Sequence, residues 1–164
     1  GVHIEPYAAF SQKFDSVDQV PDGATVAITN DPGNQPRALK MLEQAGLLQD
    51  IQDDSAALTL TPEQNPKGLQ FEENQPEILV QILDDPAVDL AIINGNYFIQ
   101  AGMTLEDAVV VEEISGENPY ANFVAWREGE KTPGVEKLDE LLHSPEVKEY
   151  IEQTWPGGDV TPSF

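Results

Sequence analysis

The sequence contains no cysteine and very few basic residues. Without cysteine the chain has no disulfides, no thiolate metal ligands and no cysteine nucleophile. Lys and Arg together number 8 against 30 Asp and Glu, which gives a formal net charge of −22 at pH 7. So acidic a surface argues against nucleic acid as a partner and against docking on anionic lipid, because both need positive charge.

Long apolar runs and targeting signals are also lacking. No apolar segment reaches the length of a membrane span, and the first residues resemble neither a signal peptide nor a lipidation motif. The chain opens directly in a strand-like segment, Val2–Ser11, so we expect a mature piece or a fragment of something longer. Pro6 interrupts that segment, which favours an edge or crossing strand over a central one.

Motifs for common catalytic chemistry are missing as well. The sequence has no HExxH, no GxSxG and no Gly-rich phosphate loop. Its two histidines, His3 and His143, are far apart in the sequence and belong to none of these motifs. Carboxylate pairs such as Glu112-Glu113 are sequence neighbours whose side chains usually diverge, and so acidic a chain produces them by chance. We therefore expect no enzyme, no metal site and no cofactor.

The strongest positive pattern is a strand, a loop and a helix over residues 24–45. Ala24–Ile28 is an apolar, β-branched run typical of a buried strand, and the polar cluster Thr29–Gln35 follows it. Pro36 suits the first position of a helix, and Gly46 is a suitable stop.

Further strands and helices alternate along the chain, which predicts an α/β fold with a mainly parallel sheet flanked by helices. The other predicted strands are Leu69–Glu72, Val88–Ile93, Ala108–Val111 and Ala121–Arg127, and a turn is predicted at Ser115–Pro119. Helices are predicted to begin at Gln75-Pro76, Thr132-Pro133 and Ser144-Pro145. The last two are predicted to bury the apolar residues Val135, Leu138, Leu141 and Leu142, and Val147, Tyr150 and Ile151.

Ligands of open α/β sheets bind beyond the carboxyl ends of strands, where the loops Thr29–Arg37 and Asn94–Tyr97 fall. Arg37 lies in the first helical turn, where a cation opposes the helix dipole unless an anion lies beside it. It is therefore a candidate to bind a carboxylate or phosphate, or else to face solvent or pair with Asp31 or Asp22. Asn34 and Asn94 are hydrogen-bonding candidates, although a helix cap and a turn explain them equally well.

At the level of whole motifs the sequence resembles the methionine-binding NlpA lipoprotein family, the substrate-binding components of methionine ABC importers. The segments that carry the resemblance are VHIEPYAAFS, DGATVAITNDPGNQPRAL, NPKGLQF, AIINGNY, SGENPYANFVAWREG and LHSPEVKEYIE. The NDPxNxxRAL loop and the INGNY turn are the most specific of them. One departure is Tyr7–Phe10, where many members have a smaller or Met-Gly-type pattern.

The resemblance implies a type II periplasmic-binding-protein-like fold of two lobes that clamp the ligand. Residues 1–10 would be a crossing strand and residues 11–126 the second lobe. Residues 127–164 would be helices that return to the first lobe, whose amino-terminal part is absent.

The resemblance also implies roles for four residues. Arg37 would grip the ligand carboxylate with Asn34 beside it, Asn94 would hold the ligand backbone, and Glu5 would face the ligand ammonium.

The function so implied is extracytoplasmic capture of methionine or a close analogue for an ABC permease and its ATPase. The protein would be exported and anchored as a lipoprotein at the outer face of the cytoplasmic membrane. The alternatives are the same fold binding a short peptide, another apolar amino acid or a small anion, and an unrelated α/β enzyme. Since the first lobe would be incomplete, self-association of the chain is a further expectation.

Overall fold

The computed structural model describes residues 1–114 and 118–164, so the predicted turn Ser115–Pro119 lies partly outside the described residues. The described residues form seven strands, β1 (His3–Ile4), β2 (Ala8–Phe10), β3 (Thr25–Thr29), β4 (Gln70–Asn74), β5 (Leu90–Ile93), β6 (Val110–Val111) and β7 (Thr161–Pro162). Their α-helices are α1 (Gln35–Gln44), α2 (Leu79–Ile82), α3 (Gly95–Gln100), α4 (Pro133–Leu142) and α5 (Pro145–Thr154). In this described part no helix has the length and apolar character needed to cross a bilayer.

The chain divides into two compact units. The sheet unit comprises Pro6–Glu113, and the helical unit comprises Gly1–Glu5 with Ile114–Phe164. These bounds differ from the predicted segments 1–10, 11–126 and 127–164, since residues 6–10 belong to the sheet unit and residues 114–126 to the helical unit.

The sheet unit is built on a five-stranded sheet in the order β4-β3-β5-β2-β6. Strand β3 runs parallel to β4 and β5, whereas β2 runs antiparallel to β5 and β6. The predicted α/β fold is confirmed, but the sheet is mixed rather than mainly parallel. The difference lies in β2, which is an internal strand of this sheet, whereas the sequence favours an edge or crossing strand here. Pro6 precedes this strand and so removes no donor from its ladder.

Successive residues of the central strands point into two different cores. Val26, Ile28, Leu90 and Ile92 pack on the face that α1 covers with Leu39 and Leu42. Ala27, Ala91 and Ile93 face the other way, towards Leu79 of α2 and Phe98 of α3. Helices cover both faces of the sheet, which explains why β3 and β5 are continuous apolar runs instead of alternating ones.

Gln35, at the start of α1, is a buried polar residue that joins three segments of the sheet unit. Its Nε2 donates to the Thr29 carbonyl and to Glu73 Oε1, each at 2.8 Å, and its Oε1 accepts from the Ala57 amide at 3.0 Å. These bonds tie the end of β3 to β4 and to the segment that follows α1.

Substituting Gln35→Ala is expected to lower the free energy of unfolding of the sheet unit by about 2 kcal/mol, because buried backbone groups lose their partner. Urea unfolding followed by circular dichroism measures this loss. Gln81→Ala removes an exposed glutamine from α2 and should have almost no effect. Equal stability of the two variants would contradict the role given to Gln35.

In the helical unit β1 pairs antiparallel with β7. The predicted strand Ala121–Arg127 is wrong, because its only described pairing is an isolated bridge from Asn122 to His3. Helices α4 and α5 begin where predicted. The hydroxyls of Thr132 and Ser144 each accept an N–H from the first turn, and a proline follows each cap.

The predicted burial of these two helices is wrong for most of their apolar residues. No residue of α4 is buried, and the side chains of Leu138 and Leu141 are about half exposed, at 49% and 51%. On α5 only Ile151 is buried, while Tyr150 is 62% exposed. Amphipathic spacing predicts the apolar face of a helix, but burial depends on what packs against that face.

Candidate functional site

The register of the sheet places Tyr7 between Asn94 and Glu112. Ala8 of β2 pairs with Ile93 of β5 on one side and with Val111 of β6 on the other. One residue further along each antiparallel ladder, Tyr7 stands opposite Asn94 and Glu112. The Glu112 amide donates to the Tyr7 carbonyl at 2.9 Å, which continues the ladder. The carboxyl ends of β5 and β6 and the amino end of β2 therefore meet at one edge of the sheet.

Arg37 reaches the same edge from the first turn of α1. Its Nε donates to Glu112 Oε1 at 2.8 Å and its Nη2 donates to Glu112 Oε2 at 2.7 Å, so the two side chains form a two-pronged ion pair. The Tyr7 amide donates to the same Oε2 at 3.0 Å. The Arg37 guanidinium also lies over the Tyr7 ring, 4.8 Å from its centroid. Arg37 thus pairs with Glu112, a carboxylate that the sequence does not single out as its partner.

The ion pair is buried. Only 8% of the Arg37 side chain and 8% of the Glu112 side chain are exposed. Removing charges from water is unfavourable, so such a pair is stable only when geometry and further hydrogen bonds are good, as they are here. The pairing fixes the orientation of the guanidinium and leaves the Arg37–Glu112 pair with no formal net charge.

Two polar atoms at this edge are buried and have no hydrogen-bond partner among the described residues, namely Tyr7 Oη and Asn94 Oδ1. Burial raises the pKa of the Tyr7 phenol well above its usual range, although the Arg37 charge opposes that rise. The phenol is therefore neutral and keeps its O–H donor. The Asn94 side chain lies close enough to lower this pKa slightly, yet no hydrogen bond of normal geometry forms at either atom.

Neither predicted asparagine acts as a side-chain cap. Asn34 and Asn94 occupy the N-cap positions of α1 and α3, but their side chains make no capping hydrogen bond. In the turn that precedes α1, Asp31 Oδ1 accepts from the amides of Gly33 and Asn34. The cap explanation of Asn34 therefore does not hold for its side chain, and the side chain of Asn94 lies at the sheet edge beside Tyr7.

Glu5, the fourth predicted ligand residue, belongs to the helical unit, where its carboxylate pairs with His3 at 3.0 Å. Its predicted role towards a ligand ammonium stays a prediction. Sequence reasoning missed Glu112 and Tyr7 as members of the cluster. Within residues 1–114 and 118–164, no three His, Asp or Glu side chains are grouped as a metal site requires.

Comparison with known sequences links this arrangement to a family. The family model described as NlpA lipoprotein matches residues 1–164. The methionine-binding lipoprotein MetQ of Bacillus subtilis is 36% identical over 159 residues, which cover 95% of this chain and 58% of the relative. The D-methionine-binding lipoprotein MetQ of Escherichia coli is 36% identical over 161 residues, 96% of this chain and 58% of the relative. The chain thus spans less than two thirds of the length of these relatives.

Solved structures agree with the sequence matches. A nutrient binding protein from Burkholderia cenocepacia bound to methionine is 35% identical, with a TM-score of 0.87 over 99% of this chain and 68% of that protein. The methionine binding protein MetQ is 32% identical, with a TM-score of 0.85 over 99% of this chain and 67% of that protein. The predicted resemblance is confirmed, and the chain belongs to the NlpA lipoprotein family.

Proposed function

We propose that this protein is the solute-binding component of an ABC importer, and that it captures methionine or a close analogue without chemical change. The observation that carries the proposal is a buried guanidinium, fixed by Glu112, beside two buried polar atoms that have no hydrogen-bond partner in the described part of the chain. The names of the relatives support the choice of ligand, since two are called methionine-binding or D-methionine-binding and one solved relative is bound to methionine.

In this proposal Arg37 binds the ligand carboxylate, Asn34 lies beside it and Asn94 holds the ligand backbone. A guanidinium whose orientation is already fixed loses little freedom when the ligand arrives, which favours affinity. The positive charge of Arg37 is balanced by Glu112, so the pair offers little net attraction to a dianion such as sulfate. A zwitterionic amino acid head matches such a site better, because it brings no net charge into a buried place.

The side chains of Arg37, Asn94 and Tyr7 do not suit proton transfer at neutral pH, which supports recognition rather than catalysis. The guanidinium stays charged, the amide of Asn94 does not titrate, and burial keeps the Tyr7 phenol protonated. Glu112 holds Arg37 and the Tyr7 amide through three hydrogen bonds.

The partners and location follow the same proposal. Capture by a binding protein serves transport only if a permease and its ATPase receive the ligand. We propose that the native protein is exported and held by a lipid anchor at the outer face of the cytoplasmic membrane. Fractionation of cells that produce the native protein tests the anchor. The protein should leave the membrane fraction only when detergent is added, and release by salt alone would contradict the anchor.

We also propose that residues 11–126 belong to the second lobe and residues 127–164 return to the first. The half-exposed Leu138 and Leu141 of α4 support this, because apolar side chains at such spacing usually have a partner surface. Amide hydrogen exchange on the native protein tests the idea, since α4 should be protected there and unprotected in residues 1–164 alone. Self-association of the 1–164 chain, measured by light scattering, would instead show that a second copy covers this face.

Calorimetric titration of the native full-length polypeptide with L- and D-methionine tests the ligand. Asn94→Ala is expected to weaken binding by about 10- to 100-fold, the range for losing a hydrogen bond to a charged group. Asn74→Ala is the matched control, because Asn74 ends β4 in the same unit and its side chain donates through Nδ2 to the nearby Glu72 carbonyl, while its backbone bond to Asn30 survives the substitution. It should leave the affinity unchanged.

Absence of heat with both methionine isomers would contradict the proposal. Native mass spectrometry of the freshly purified protein then separates the alternatives, because a peptide, another apolar amino acid or a small anion differs in the added mass.

A further inference from the structure

We infer that Tyr7 contacts the ligand, and that its phenol hydroxyl donates a hydrogen bond to the ligand carboxylate. The inference rests on the proposed function, since it requires an amino acid head at Arg37. The family resemblance does not supply it, because many members have a smaller or Met-Gly-type pattern over Tyr7–Phe10. Tyr7 would thus be a ligand-contacting residue of this chain beyond those that the resemblance implies.

The first argument is the unexplained hydroxyl. Tyr7 is 1% exposed, and its Oη has no hydrogen-bond partner among the described residues. A buried hydroxyl without a partner destabilises a fold, and such groups are rare in native proteins. Phenylalanine has the same shape without that cost. A tyrosine at this place is therefore best explained by a partner that arrives with the ligand.

The second argument is the position of the ring. The guanidinium of Arg37 lies over it, with Cζ 4.8 Å from the centroid. The Tyr7 backbone is fixed on both sides, by Glu112 through its amide and carbonyl and by the β2–β5 ladder next to Asn94. A carboxylate bound to Arg37 at this edge would therefore arrive beside a rigidly held phenol.

The third argument is the complementarity of the two unpartnered atoms. Tyr7 offers an O–H donor, because its phenol is neutral, and Asn94 Oδ1 offers an acceptor. A zwitterionic amino acid head carries the opposite set, an acceptor in its carboxylate and donors in its ammonium. The Tyr7 O–H would therefore donate to the ligand carboxylate, which Arg37 also attracts. Asn94 Oδ1 would accept from the ligand ammonium.

The test compares wild type, Tyr7→Phe and Tyr150→Phe in the native full-length polypeptide. Tyr150→Phe removes a hydroxyl of the same kind from the exposed surface of α5 and serves as the control. In titrations with L-methionine, Tyr7→Phe should bind at least about tenfold more weakly than wild type. This is the loss expected for one hydrogen bond to a charged group. Urea unfolding without ligand should show that Tyr7→Phe is as stable as wild type or more so.

A second probe locates the contact. L-methioninol carries a hydroxymethyl group in place of the carboxylate. The Tyr7→Phe substitution should therefore change the affinity for L-methioninol far less than the affinity for L-methionine.

The outcomes separate this inference from the proposed function. If wild type binds no methionine, both fail. If wild type binds and Tyr7→Phe binds equally well, only the inference is overturned. Loss of affinity together with loss of stability would also overturn it, because the hydroxyl would then be a structural group. Weaker binding at unchanged or higher stability supports it.

Discussion

Replacing Glu112 by alanine is expected to lower the free energy of unfolding of the sheet unit by about 3–5 kcal/mol, the range for breaking a buried ion pair. The reason is that Arg37 would lose the carboxylate that binds it in a two-pronged, buried ion pair, and the Tyr7 amide would lose its acceptor. Glu112→Gln should lie between wild type and Glu112→Ala, because an amide keeps an acceptor but not the charge. Urea unfolding followed by circular dichroism gives the three free energies.

The neighbouring residue is the natural control for this experiment. Glu113 carries the same side chain one position further on but is exposed, and its backbone amide donates to Gln44 Oε1. Glu113→Ala should change stability by less than about 0.5 kcal/mol, as surface substitutions usually do. A Glu112→Ala variant as stable as Glu113→Ala would show that the pair with Arg37 does not stabilise the fold.

This contrast within one Glu-Glu pair also shows where sequence reasoning ends. The two residues look alike in sequence, where an acidic chain produces such pairs by chance. They differ because the ladder between β2 and β6 brings Glu112, but not Glu113, to the Tyr7 backbone and the guanidinium. Arg37 and Glu112 are 75 residues apart in the chain, so no local pattern connects them.

Sequence patterns predict those elements correctly whose formation depends on residues close together in the chain. The apolar run at β3, the polar loop after it and Pro36 at the start of α1 predicted a strand, a loop and a helix, and these form as expected. The position of Arg37 in the first helical turn followed from the same spacing. That the guanidinium is buried, and not solvent-exposed, depends on β2 lying inside the sheet, which the proline at position 6 argued against.

Burial in the helical unit was predicted wrongly for a related reason. Thr132 and Ser144 marked the starts of α4 and α5 correctly, because a cap and a following proline act within one turn. The exposed Leu138 shows that the apolar face of α4 finds no cover within the described residues. A periodic pattern identifies such a face, whereas the surface that covers it is set by other parts of the molecule.

Replacing both members of the ion pair, as Arg37→Leu with Glu112→Leu, is expected to separate ligand binding from folding. Exchanging a whole buried pair for apolar residues of similar volume is often neutral or stabilising, so the double variant should lie within about 1–2 kcal/mol of wild type. Each single substitution removes one half of the buried pair and keeps the other, and should therefore be less stable than the double. Methionine binding should nevertheless fall by at least about 100-fold, because the double variant lacks the cation that pairs with the ligand carboxylate.

Calorimetry and urea unfolding on the same preparations decide between the possible results. A stable double variant that still binds methionine with the wild-type affinity would remove Arg37 from the binding site and leave the ion pair without a role in recognition. A double variant less stable than both single variants would show instead that the pair contributes more than its apolar replacement. Only a folded protein that has lost methionine binding fits a guanidinium that Glu112 holds in place for the ligand, because the scaffold then survives without the charge and the affinity does not.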